Sequence, residues 1–441
     1  MKRKASVLML MIVLLFSIGS ISFVDFAEAN PPGPYDPTPT PPPIAHCYIK
    51  SDFTLTSNLL NCTLEVQSDN VVIDGAGFTL QGNWYTYDGI TLDGRHNVTI
   101  KNVKIQNFGR GIVILGESTD NFICGNTLMD MIKIKDSFAT EITNNTFNNA
   151  FIAITSSGNN VILNNHFIDC GIGLIQSSTK DIISNNNFDN GGIHLSSVTY
   201  YNVSNNSFSD NSGTPGIVAS FSENNSFSQN IFINVEEAIK IQKGIANIIT
   251  NNVISNGNSG INIYDGSYGN IIADNRITGE SDFGLMICGS IGNNITRNFL
   301  YNNTVGFYIA NTQIIWLSQF VNKSLTENTF NQNDVVNNNL SVRTQWSSSV
   351  PMPTDLHTEF HKMPISLYGN YWSDYDGTDS EGDGIGDTPY YTTDPSYVDS
   401  YPLMAPTYIP QRNHTDTQHT DYRRITKPGT TEYTKFRNNT Y

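Results

Sequence analysis

The sequence predicts an all-β protein, a right-handed parallel β-helix (solenoid) of about eleven coils, from three features of its middle. First, a phrase of Asn, any residue and a large apolar residue keeps returning between Asn97 and Phe330. It stands as Asn126-Thr-Leu128, Asn145-Thr-Phe147, Asn165-His-Phe167, Asn186-Asn-Phe188, Asn206-Ser-Phe208 and Asn230-Ile-Phe232. It continues as Asn252-Val-Ile254, Asn275-Arg-Ile277, Asn298-Phe-Leu300 and Asn328-Thr-Phe330, with a looser opening at Asn102-Val-Lys-Ile105. The steps run from 19 to 30 residues, the size of one solenoid coil. Second, each period carries an apolar pair split by one residue, from Ile112/Ile114 to Phe307/Ile309, which is strand spacing. Third, no stretch of this region sustains a 3.6-residue period, so no helix is expected in it. Coils rising about 4.8 Å each make a rod roughly 50 Å long, and parallel crossovers are right-handed.

Within a coil, the Asn of the phrase is expected to stack on its counterparts and hydrogen-bond from coil to coil, satisfying buried backbone at a corner. A second row follows each apolar anchor: Asn107, Asp130, Asn149, Asp169, Asn190, Asp210, Asn234, Asn256 and Asn302. Asp and Asn interchange there, as suits a turn where either side chain bonds local backbone. The row therefore removes Asp130, Asp169 and Asp210 from the candidate catalytic acids.

Taken in order, residues 1–29 read as a signal peptide: a basic start at Lys2, Arg3 and Lys4, an apolar stretch from Val7 to Ile18, and a small-x-small site ending at Ala29. Export with cleavage after Ala29 is expected, to the cell surface, the medium or a periplasm-equivalent space. No later run approaches the ~20 apolar residues of a membrane span. The whole chain has 24 basic and 40 acidic residues, and losing the leader's three basic and two acidic ones leaves 21 against 38, a net charge of −17. Such an acidic product argues against nucleic acid and anionic membrane as partners, and the plain reading of the charge is solubility. Asn-x-Ser/Thr triplets such as Asn61-Cys-Thr63, Asn97-Val-Thr99, Asn202-Val-Ser204, Asn294-Ile-Thr296 and Asn413-His-Thr415 fit an exported glycoprotein. They also arise by chance in so Asn-rich a chain.

Residues 30–43 are Pro-rich and predict an extended linker. Residues 44–70 supply an N-terminal cap, in which Cys47 and Cys62 are expected to pair in an oxidising compartment. Repeats fill 71–345, with an insertion near Gln313 to Lys323; a C-terminal cap covers 346–404 and a disordered polar tail 405–441.

The repeated Asn-x-Ile/Phe coil, together with Gly369-Asn-Tyr-Trp-Ser-Asp-Tyr375, Asp383-Gly-Ile-Gly-Asp387-Thr-Pro-Tyr390 and Tyr401-Pro-Leu-Met404, resembles the NosD-type β-helix proteins, especially exported archaeal forms. The resemblance covers about residues 44–405. It implies a right-handed β-helix of the carbohydrate-binding and sugar-hydrolase type, in a family whose name-giving member is tied to copper delivery.

Asp379, Glu381, Asp383, Gly384, Ile385 and Asp387 match positions 1, 3, 5, 6, 7 and 9 of a calcium loop. Tyr390 stands where a bidentate Glu belongs, and Asp376, Asp394 or Asp399 could complete the shell. Calcium is thus an expected structural cofactor, with Asp376, Asp379, Glu381, Asp383 and Asp387 as ligands and an acidic solvated turn as the plain alternative. Copper needs soft or imidazole donors at one point. His194 is separated from Met286 and Cys288 by four coils, about 19 Å, so only His357, His361 and Met363 could converge. For catalysis, no paired carboxylates of the kind glycoside hydrolysis requires stand on the coils, and Glu236-Glu237 reads as a solvated corner. The outward positions Lys240, Gln242, Asn262, Tyr264, Asp265, Met286 and Tyr308 combine rings with amide, acid and ammonium groups, as a sugar-binding face does. Within that set, Lys240, Asn262, Tyr264, Asp265 and Tyr308 are the candidate carbohydrate residues. The leading expectation is a non-catalytic surface protein binding polysaccharide or cell-surface glycan. A polysaccharide lyase or hydrolase and a periplasmic copper-handling protein are the rivals.

Overall fold

The computed structural model describes residues 44–83, 87–176, 178–211, 213–311, 327–346 and 365–407, with the backbone of 422–427 and 430–435. The leader, the Pro-rich linker, the insertion near Gln313 to Lys323 and the trio His357, His361 and Met363 fall outside the described residues. The chain forms two compact units, Met1–Thr407 and Tyr408–Tyr441. In the second, Tyr422–Lys427 and Thr430–Lys435 pair as an antiparallel hairpin.

Every regular element among the described residues of the first unit is a strand. The strands build three sheets of fourteen, sixteen and fourteen members. Each coil gives one strand to each sheet in turn. Arg110–Leu115 lies in the first, Phe122–Cys124 in the second and Thr127–Leu128 in the third, before Ile132–Lys135 returns to the first. Neighbours pair in parallel, as in a right-handed β-helix, except where Tyr390–Tyr391 meets Val398–Asp399. Ala45–Ile49 and Cys62–Val66 already belong to the first sheet, so the winding begins ahead of the first counted repeat.

The predicted apolar pairs all point inward. Ile112, Ile132, Ile152, Ile172 and Ile193 lie in register and are buried. In the third sheet, Phe147, Phe167, Phe188, Phe208 and Phe232 stack face to face with centroids 4.6–4.7 Å apart, one ring per coil. That distance is the strand spacing itself, so ring stacking and sheet pairing reinforce each other. Where the third sheet turns back onto the first, space runs out: a Cβ on Gly216 would lie 2.6 Å from the Phe232 ring.

The Asn of the phrase forms a buried ladder between the second and third sheets. In Asn206, Oδ1 accepts the Asn186 backbone N–H at 3.0 Å and its side-chain amide at 3.0 Å. Its Nδ2 donates to Ile183 O at 2.9 Å and to Asn230 Oδ1 at 3.1 Å. All four hydrogen-bonding positions of the amide are filled. The same pattern climbs through Asn252, Asn275, Asn298, Asn333 and Asn370. It ends at Asp399, whose buried carboxylate takes the Asn370 amide and backbone N–H, the Trp372 indole N–H and the N–H groups of Gly369 and Tyr401. A carboxylate only accepts, so it completes the ladder without needing a further partner. The expectation that Asp399 might join a calcium shell is replaced by this role.

Two sequence assignments shift by register. Asn328-Thr-Phe330 belongs to the second sheet, where Phe330 pairs with Ile295, and the ladder rung after Asn298 is Asn333. Asp130 is not the turn residue of its coil. That coil is one residue shorter between anchor and next strand, and Asp130 instead accepts the Phe108 N–H at 3.0 Å. The other members of the second row named above adopt φ of 52–65°, the left-handed region that Asn and Asp tolerate best.

Side chains at the other corners also accept from the coil below, and two of these are acids. Asp181 accepts the Asn160 backbone N–H at 2.8 Å and the Tyr201 hydroxyl at 2.8 Å; burial pushes its carboxyl up to about 6. Glu280, 1 % exposed, accepts the Gly257 N–H with one oxygen while the other has no partner among the described residues, and burial pushes it up to about 7.

Replacing Asn206 with Ala leaves two buried donors and a carbonyl without their partners, and is expected to cost ~3 kcal/mol or more, read as a drop in Tm. Asp181 binds its proton more tightly in the folded than in the unfolded chain. Its stabilising share is therefore complete below the unfolded value of ~3.9 and is lost as pH rises through about 6. Asp181→Asn should accordingly raise Tm relative to the parent at pH 8 more than at pH 4, by an amount on the order of 2–3 kcal/mol. Equal shifts at both pH values would contradict this.

Candidate functional site

The outer face of the first sheet is lined by the residues that alternate with the buried Ile and Leu. Going up the rod, one outward column reads Ala153, Gly173, His194, Val218, Lys240, Asn262, Met286, Tyr308 and Arg343. A parallel column reads Thr155, Ile175, Ser196, Ser220, Gln242, Tyr264, Cys288, Ala310 and Gln345. The lower half of this stretch is small and aliphatic, with His194 as its one ring. The upper half holds the aromatic, charged and amide groups.

Lys240, Asn262, Tyr264 and Asp265 come together on adjacent strands. Lys240 Nζ lies 2.8 Å from Glu237 Oε2 and 5.4 Å from the Tyr264 ring centroid. Asn262 Nδ2 donates to Glu237 Oε1 at 3.2 Å. Gln242 Nε2 donates to Asp265 Oδ2 at 2.8 Å. Burial, with Glu237 and Asp265 nearby, pushes the Tyr264 phenol up, so it stays protonated. Burial and then Lys240 pull His194 down to about 4, leaving a neutral imidazole at neutral pH.

Two expectations change here. Asn262 faces outward but is covered, 2 % exposed, and its Oδ1 has no partner among the described residues. Tyr308 is a filled position: Phe283 stacks on one side at 4.3 Å and Arg343 reaches over the ring at 5.6 Å, each from the coil on its own side. One face of the Tyr308 ring is thus taken by Phe283, and a ligand at the other would meet Arg343.

Phe283 and Arg343 escaped the sequence reading, and Glu237 was assigned to a solvated corner. Period-two counting puts Phe283 on the same side as Leu285 and Ile287. In the fold the alternation breaks at Gly284, so Leu285 is buried while Phe283 stacks on outward Tyr308. Glu237 moves to the face in the same way ahead of Ile239, instead of standing in a solvated corner.

The acidic loop closes on itself. Asp379 accepts the N–H groups of Gly382, Asp383 and Gly384, and Asp383 accepts that of Ile385. Asp387 accepts from Ser380 and Thr378, and the Ser380 bonds hold its carboxyl below the usual range. Asp376 and Glu381 are exposed. Among the described residues no group of three or more His, Cys, Asp or Glu is placed to hold a metal ion. The calcium reading therefore gains no support from the loop, and no copper donor set is assembled on the coils. Cys47 and Cys62 are joined by a disulfide. Burial pushes the Cys170 thiol up to about 11, which leaves it unreactive.

A family model described as periplasmic copper-binding protein (NosD) matches residues 45–192 and 190–321. No curated protein matches. Among solved structures, a double mutant of the periplasmic alginate epimerase AlgG is 12 % identical, with 74 % of this chain and 76 % of that one covered and a TM-score of 0.43. DFA-IIIase from Arthrobacter chlorophenolicus A6 without its lid is 13 % identical over 55 % and 69 %, with a TM-score of 0.38. A mutant tailspike protein of E. coli bacteriophage HK620 in complex with a pentasaccharide is 10 % identical over 71 % and 59 %, with a TM-score of 0.39.

Proposed function

The chain belongs to the NosD family, and on that premise we propose that it is an exported protein binding polysaccharide along the outer face of its first sheet. The observation that carries this reading is the surround of Tyr264: a half-buried ring with the Lys240 ammonium over it, beside the hydrogen-bonded pair of Gln242 and Asp265. Sugars are recognised by such a combination, because their C–H faces pack on rings while planar polar groups orient the hydroxyls. Phe283 and Arg343 extend the surface over the coils above. A linear polymer laid along the axis would meet a new strand every ~4.8 Å. The leader-like residues 1–29, and a family described as periplasmic, support export.

The reading of binding without turnover is supported by how the carboxylates of the face are used. Glu237 is held by Lys240 and Asn262, and Asp265 by Gln242. The acid and base of a hydrolase, by contrast, are carboxyls left available to the substrate.

Incubating the full chain with a panel of polysaccharides, while following both retention on the polymer and release of new chain ends, tests the proposal. Retention without release is expected. Tyr264→Ala should weaken retention about tenfold, equivalent to ~1.4 kcal/mol, with Tm held within a few degrees. Release of chain ends would replace binding with a lyase or hydrolase activity.

A further inference from the structure

We propose that Asn144, Asn224 and Asn302 carry N-linked glycans, transferred to the chain from a lipid-phosphate-linked oligosaccharide during export. The proposal rests on the export reading above. Its own argument comes from the register of the coil.

An Asn is an acceptor only if the residue two places on is Ser or Thr. For a ladder Asn that place is the inward anchor: Phe147 after Asn145, Phe227 after Asn225 and Val305 after Asn303, all buried. A ladder Asn therefore cannot begin an acceptor triplet without putting a hydroxyl into the core. The residue just before each ladder Asn is displaced by one, and its second neighbour points outward. In Asn144-Asn-Thr146, Asn224-Asn-Ser226 and Asn302-Asn-Thr304 that neighbour is a half-buried or exposed hydroxyl residue. The three leading Asn residues are exposed and adopt φ of 56°, 56° and 59°. This left-handed conformation turns the chain at the corner while the next residue enters the ladder.

The other triplets among the described residues have a buried hydroxyl, a half-buried leading Asn, as at Asn205, or a leading Asn already bonded to another coil. Ser204 in Asn202-Val-Ser204 and Ser341 in Asn339-Leu-Ser341 are buried, and Ser341 bonds Asp374. The Asn97 amide donates to Asn70. In the transfer, the acceptor Nδ2 attacks the anomeric carbon, the bond from that carbon to the phosphate oxygen breaks, and a C–N bond forms. The lipid phosphate leaves and one amide proton is released, with no change of oxidation state. A glycan at these corners projects from the ridges between sheets.

The test is peptide mass mapping of the full chain purified from the cells that make it, reading the start of the mature chain in the same digest. Sugar mass increments with carbohydrate fragment ions on the peptides holding Asn144, Asn224 and Asn302, on a chain lacking residues 1–29, are the expected result. A processed chain bare at all three, or modified at Asn202 and Asn339 in their place, overturns this proposal and leaves export standing. A chain that retains its leader and is bare overturns both.

Discussion

The fold depends on the side-chain amide of Asn, repeated at corners of one coil after another. A coil of three short strands leaves backbone groups at its corners that the sheets cannot pair, and at the centre of a dry rod no water replaces them. An amide two atoms from the backbone accepts from the coil below and donates to the coil above. It does so at the distance that separates the strands. Gln would overreach, Asp cannot donate, and Ser lacks the second donor. Because every amide is saturated by its neighbours, removing one damages the coils on either side of it, so the cost of a change spreads along the rod.

Phe stacking and Ile alignment follow from that registration. Once Asn186 and Asn206 are in line, Phe188 and Phe208 lie two residues further on in the same line, at a stacking distance. Polar and apolar columns are thus set by one repeat length. For this reason the architecture was legible in the sequence: position within the period decides whether a residue is inside. Reading failed where the period itself varied. The short coil at Asp130 removed the turn residue and turned the half-buried acid to the Phe108 N–H. After Asn298 the longer coil let Asn328 of one corner be taken for the rung of another.

The face of the first sheet was less legible, for a different reason. Outward residues answer to no repeat, so nothing in the pattern distinguishes a covered group from an available one. Tyr264 and Lys240 could be placed on one surface by counting, and they do meet there. Counting could not reveal that Phe283 swings out at Gly284 to cover Tyr308, or that Glu237 claims the Asn262 amide. The acidic stretch 379–387 illustrates the same limit. Its spacing suits a cation, yet each carboxylate with a resolved bond is answered by N–H or hydroxyl groups of the stretch itself.

The carboxylate at Asp399 gives the rod a polarity. Every rung beneath it gives as well as takes, so one coil in the middle can be doubled or deleted and its neighbours meet equivalent partners. Above Asp399 a new coil would be offered an acceptor with nothing to hand on. Length is accordingly free to drift by copying of interior coils, whereas the upper terminus is a single residue that must be reproduced each time. The number of coils is an inheritable variable, while this one ladder keeps a fixed last member.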